Sequence, residues 1–249
     1  MPAQLIVALD VPSLAEARVA LRKLPAEALW IKVGLELYTA VGPAILRELC
    51  DSGKRVFLDL KLHDIPNTVS RAVSAACAHG VQMLTIHAAG GRAMIRAAAD
   101  ALHTAGNPEL RLVAVTMLTS LGPDDMADLG IARTVPEQAA TLGRLAMDCG
   151  AHGVVCSAHE ATALRAQLGP DAILVTPGIR PAGGNAGDQK RVASPAMAVR
   201  AGATHLVVGR PIIDAPNPAE ATHAILAEMA AADHDKRVFG GIQPFVVTP

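Results

Sequence analysis

The chain is predicted to fold as a single closed (β/α)8 barrel. Two observations predict it: eight short apolar runs recur along 249 residues, and segments rich in Ala, Leu and Arg with helical spacing lie between them. Units of about 30 residues then account for the whole length with little left over. An open doubly wound sheet is the other architecture that such alternation allows, and the count of eight favours closure.

In chain order, LIVAL (5–9) is the first run and leads into Asp10. SLAEARVALRKL (13–24) follows as a helix whose opening Ser13 can cap the free N–H groups of the first turn. LWIKVG (29–34) carries Lys32, and RVFLDL (55–60) continues into Lys61, Leu62, His63 and Asp64. QMLTIH (82–87), the helical GRAMIRAAADALH (91–103), RLVAVTM (111–117) and the helical VPEQAATLGRLAMDC (135–149) come next. HGVVCS (152–157), AILVTP (172–177) and THLVVG (204–209) complete the strands. Most of these runs do not alternate apolar with polar residues, the pattern of strands buried on both faces. The Gly-rich stretch PGIRPAGGNAGDQ (177–189) sits between the seventh strand and its helix and reads as a functional loop. No linker divides the chain, so residues 1–249 are taken as one domain, with roughly 232–249 set apart as a tail of unassigned role.

Composition excludes several classes. With 22 Lys+Arg against 23 Asp+Glu there is no overall basic field for nucleic acid, and any phosphate recognition must be local. Ala72 to Gly91 lacks Asp, Glu, Lys and Arg over a length that could cross a bilayer, but His79, Gly80, Gln82 and His87 break it into a helix end, a turn and a short strand. No membrane partner is expected. The N-terminus lacks the pattern of a secretory signal. Cys50, Cys77, Cys149 and Cys156 form neither a CxxC pair nor a disulfide framework, and a cytoplasmic setting is expected.

A barrel of this kind carries its chemistry at the C-terminal ends of its strands, where Asp10, Lys32, Asp59, Lys61 and Arg210 all fall. Asp59 and Lys61 are two apart, so a regular strand projects both from one face, while Asp64 lies beyond on the loop. A structural ion pair is the plain reading of DxK on a strand; Asp10 and Lys32 on neighbouring strand ends argue for a site instead. Gly178 and Arg180 after the seventh strand, with Gly209 and Arg210 after the eighth, stand where barrels commonly hold phosphate. Glycine lets the backbone approach the anion, and arginine supplies a forked donor. His63 and His87 lack the spacing of a metal site and are read as structural, and no metal is expected.

DLKLHDIPNT (59–68), with its DxKxxD core, resembles the signature of the orotidine 5′-phosphate decarboxylase family. LDV around Asp10, KVG from Lys32, MLTS through Thr119, TPGIRP around Arg180, GDQ ending in Gln189 and VGRPI around Arg210 resemble that family in the same order. The resemblance implies a cofactor-free decarboxylase that converts orotidine 5′-monophosphate to UMP in pyrimidine biosynthesis. It makes Lys61 the proton donor within a charged network of Lys32, Asp59, Lys61 and Asp64. It also assigns Asp10 to the ribose, Thr119 to the pyrimidine edge and Gln189 to a mobile loop over the nucleotide, with Gly209, Arg210 and Arg180 at the phosphate. It implies a homodimer in which Asp64 and Thr68 reach the partner's site. Two alternatives remain at this point: a Mg²⁺-dependent sugar-phosphate decarboxylase or synthase with the same DxKxxD core, and a catalytically silent phosphoribosyl-binding barrel. The IPNT continuation and the long loop speak against the first, and the retained Asp59 and Lys61 against the second.

Overall fold

A computed structural model of the chain describes residues 2–181 and 192–239. Its strands form a closed parallel barrel in the order β1 to β8, with β1 pairing β8. The strands are β1 (Gln4–Ala8), β2 (Trp30–Gly34), β3 (Arg55–Leu62), β4 (Met83–His87), β5 (Arg111–Val115), β6 (Gly153–Val155), β7 (Ile173–Thr176) and β8 (His205–Val208). Each coincides with one of the eight apolar runs.

The helices outside are α1 (Leu14–Lys23), α2 (Leu35–Val41), α3 (Ala44–Asp51), α4 (Pro66–Cys77), α5 (Gly91–Ala105), α6 (Pro123–Asp128), α7 (Val135–Asp148), α8 (Ala158–Leu168), α9 (Pro195–Arg200), α10 (Arg210–Ile213) and α11 (Pro218–Phe239). Local chemistry starts several of them. Ser13 accepts from the Glu16 N–H at the head of α1, and Thr134 with Glu137 forms a reciprocal capping box at α7. The crossings after β2 and β5 each contain two helices rather than one, and two helices also follow β8, a refinement that simple strand–helix alternation misses. The stretch from Ala72 to Gly91 divides between α4 and β4 as expected, and among the described residues no helix is long and apolar enough to cross a membrane.

Two apolar layers explain why the runs do not alternate. Ile6, Ala8, Trp30, Phe57, Met83, Val113, Val175 and Val207 fill the barrel interior, while intervening residues such as Val7, Ile31, Leu58 and Leu84 pack against the helices. The N-terminal end of the barrel is closed by Trp30, with the His205 ring edge-on at 5.5 Å and the Arg55 guanidinium 4.9 Å over the indole. Polar chemistry is left to the opposite end.

The last helix corrects the boundary of the tail. α11 continues to Phe239, so the start of the stretch set apart as tail is helical. Ala232 is buried, and Arg200 pairs with Asp235 at 3.3 Å. The charged run DHDKR has no Gly or Pro to stop a helix, and the first such residues are Gly240 and Gly241, outside the described residues.

Candidate active site

Four charged side chains alternate in sign across the C-terminal mouth of the barrel. Lys32, the last inward side chain of β2, donates to Asp10 Oδ1 at 2.7 Å. On its other side Lys32 Nζ lies 3.8 Å from Asp59 Oδ2. Lys61 Nζ in turn donates to both Asp59 oxygens, at 3.0 and 2.9 Å. Lys32 and Asp59 are buried, whereas Lys61 and Asp10 reach outward to the cavity. Two ammonium groups held this close need the carboxylate between them, and a carboxylate this far from solvent needs the ammoniums. Gly34 makes room for the outer pair: a Cβ there would stand 2.7 Å from Lys32 Nζ and 2.9 Å from Asp10 Oδ1.

Lys61 reaches Asp59 by a route that strand alternation does not describe. The β3–β4 register runs Phe57↔Met83 and Leu58↔Leu84, then shifts to Leu62↔Ile86. Within that irregularity Lys61 has φ of 50°, and among the described residues it is the one non-glycine with positive φ. Such a conformation costs on the order of 1–3 kcal/mol and persists only where surrounding contacts enforce it. The expectation that a regular strand presents Asp59 and Lys61 on one face is therefore corrected: a bulge, which re-aims the side chain, brings them together. The Thr85 hydroxyl on β4 accepts the Lys61 N–H at 2.8 Å and donates to Asp59 Oδ1 at 3.0 Å.

These groups lie in a cavity of about 610 Å³. Asp10, Lys32, Asp59, Lys61, Thr119, Arg180, Gly209 and Arg210 all line it. Gly178, at φ of 74°, turns the chain after β7, and the Arg180 N–H donates to the Ala193 carbonyl at 2.9 Å, tying the two feet of the Gly-rich loop together. Gln189 lies outside the described residues. Asp64 and Thr68 do not line the cavity; both are exposed, and among the described residues the partner of Asp64 is the neighbouring Ile65 N–H, which donates to it at 2.6 Å. Within one chain the array thus runs from Asp10 to Lys61 and does not include Asp64.

Sequence reasoning passed over Glu36, Ser120 and Asp214, which also line the cavity, and Thr85 beneath it. Counting back by twos from His87 places Thr85 on the inner face of β4, the one signal that could have marked it. His87 and His63 rings stand 5.3 Å apart. Burial first, then His63 and Lys61, hold the His87 imidazole below its ordinary 6.5 against the opposing pull of Asp59. Among the described residues no three His, Cys, Asp or Glu side chains are grouped to hold a metal ion.

Comparison with known proteins bears on what this arrangement is for. The model of the orotidine 5′-phosphate decarboxylase / HUMPS family matches residues 3–225. The chain belongs to this family. Orotidine 5′-phosphate decarboxylase of Opitutus terrae is 49% identical over 229 residues, covering 92% of this chain and 99% of that protein. The protein of the same name from Anaeromyxobacter sp. strain K is 51% identical, over 90% and 97% of the two chains. The crystal structure of orotidine 5′-phosphate decarboxylase from Lactobacillus acidophilus superposes with a TM-score of 0.82 at 38% identity, covering 91% of this chain and 99% of that one. Family membership and the barrel fold agree with the resemblance carried by the strand-end motifs.

Proposed function

We propose that the chain decarboxylates orotidine 5′-monophosphate to UMP in the cytoplasm and that it uses neither metal nor organic cofactor. The observation that carries this reading is the array Asp10, Lys32, Asp59, Lys61 on the cavity wall, supported by close relatives named for the reaction. Loss of CO₂ breaks the bond at C6 of the pyrimidine and leaves its electron pair on a carbon with no ring carbonyl placed to delocalise it. Asp59, a buried carboxylate beside the substrate carboxylate, disfavours the reactant charge. The Lys61 ammonium stabilises the developing charge at C6 and then transfers its proton there, regaining one from solvent before the next turnover.

The other residues hold the nucleotide. Asp10 takes the ribose, Thr119 the pyrimidine edge, and Arg180, Gly209 and Arg210 the phosphate, with Gln189 contributing from the loop. Remote phosphate binding then serves catalysis by locking the ring against Lys61. We further propose a homodimer in which Asp64 and Thr68 of the partner subunit complete each array. In the isolated chain residues 63–68 are exposed without a break, including Ile65 at 67%, an apolar side chain suited to a subunit contact.

A Mg²⁺-dependent sugar-phosphate enzyme is the competing reading. It is disfavoured by the relatives, since proteins about half identical over nine-tenths of the chain are named for the decarboxylation of the nucleotide. Absorbance of orotidine 5′-monophosphate followed in EDTA tests the proposal. The orotate band should disappear with formation of UMP; no UMP, or turnover only after Mg²⁺ is added, contradicts it.

A further inference from the structure

The inner face of β4 presents Met83, Thr85 and His87 in alternation, and Thr85 is fully buried beneath the cavity without lining it. Its hydroxyl has two partners, and their chemistry sets the direction of each bond. An ionised carboxylate only accepts, so the hydroxyl proton goes to Asp59 Oδ1; a main-chain N–H only donates, so a hydroxyl lone pair takes the Lys61 N–H. The second bond falls where the β3–β4 ladder shifts register and Lys61 adopts positive φ. The hydroxyl thus stands in for a strand partner at the bulge. One buried oxygen fixes both the carboxylate of Asp59 and the backbone from which Lys61 projects.

We propose that Thr85 is a positioning residue for the reaction. It acts through Asp59 and Lys61, holding carboxylate and ammonium in the relative geometry that proton transfer to C6 requires. This rests on the decarboxylase reading above. A site whose supporting contacts are lost is displaced by fractions of an ångström, enough to slow the chemical step while leaving the phosphate and ribose contacts intact.

Thr85→Val, nearly equal in shape, deletes the hydroxyl; Thr85→Ser keeps it and removes a buried methyl. Steady-state turnover of orotidine 5′-monophosphate and thermal unfolding would be measured for both. The expected result is a fall in kcat of about ten- to a hundredfold for Thr85→Val, with KM changed less than about threefold. Thr85→Ser should keep kcat within about threefold of wild type even where its Tm falls. A purely structural role predicts instead that kcat losses follow Tm and that serine gives no rescue. If valine yields no folded protein, Thr85→Ala takes its place with the same expectation. Wild-type-like kcat in the variant lacking the hydroxyl, or equal losses with and without it, overturns the proposal while the decarboxylase reading stands. A wild-type chain inactive on the nucleotide overturns that reading and this proposal with it.

Discussion

Lys61 combines a strained backbone with an ammonium bound to both oxygens of a buried carboxylate. The pairing holds the cation at the cavity wall, and its charge is in place before charge develops on the substrate, so little reorganisation is needed during reaction. Replacement therefore removes stabilisation that matters most in the transition state. Lys61→Ala should lower kcat at least a hundredfold, about 2.7 kcal/mol, while UMP binds with a much smaller loss. Parallel measurement of kcat and UMP affinity checks this, and more than a tenth of wild-type kcat would remove Lys61 from its role. The type and spacing of this residue were readable in the sequence because DxKxxD is contiguous. Its backbone was not, because a bulge leaves no mark in the residue types: Leu60 and Leu62 flank it as they would in a regular strand. Thr85 was hidden for a related reason, since a β-branched residue inside a strand ordinarily signals packing alone.

At the scale of elements, the barrel divides its ends between stability and chemistry. β8 shows the stabilising end. His205 packs edge-on against Trp30, and burial, with help from Arg55, drives its pKa down to about 4. The folded value lies below the unfolded one of about 6.5, so the unfolded chain binds more protons between the two. The neutral ring's contribution is whole above about pH 6.5 and is lost as pH falls toward 4. Between pH 7 and 4.5 wild type should lose about 2 kcal/mol more unfolding free energy than His205→Phe, measured by denaturant titration at fixed protein concentration. Parallel losses in the two proteins would show that His205 is not buried as described. The strands themselves were legible, because an apolar run of this length bounded by turn residues has few other uses. The doubled helices after β2, β5 and β8 were less so, being short pieces such as α6 and α10 whose limits depend on tertiary packing. The end of α11 was missed because its polar composition reads as a tail, while Ala232 and the Arg200–Asp235 pair hold it to the barrel.

For the whole molecule, the array of alternating charge ends at Lys61 within one chain, beside an exposed segment that carries Asp64, Ile65 and Thr68. A second copy docked on that segment would bring Asp64 of the partner subunit to the open side of Lys61. A site completed in this way has a behaviour that a single-chain site cannot imitate, because lesions in two different residues complement each other. The measurement is turnover of orotidine 5′-monophosphate by an equimolar mixture of Lys61→Ala and Asp64→Ala proteins after subunit exchange, with differential tags to verify the mixed dimers. Each variant alone should be nearly inactive. In a mixed dimer one site carries both lesions and the other carries none, so random pairing restores about one quarter of wild-type activity. Verified exchange with no recovery would contradict the shared array and return Asp64 to its own chain.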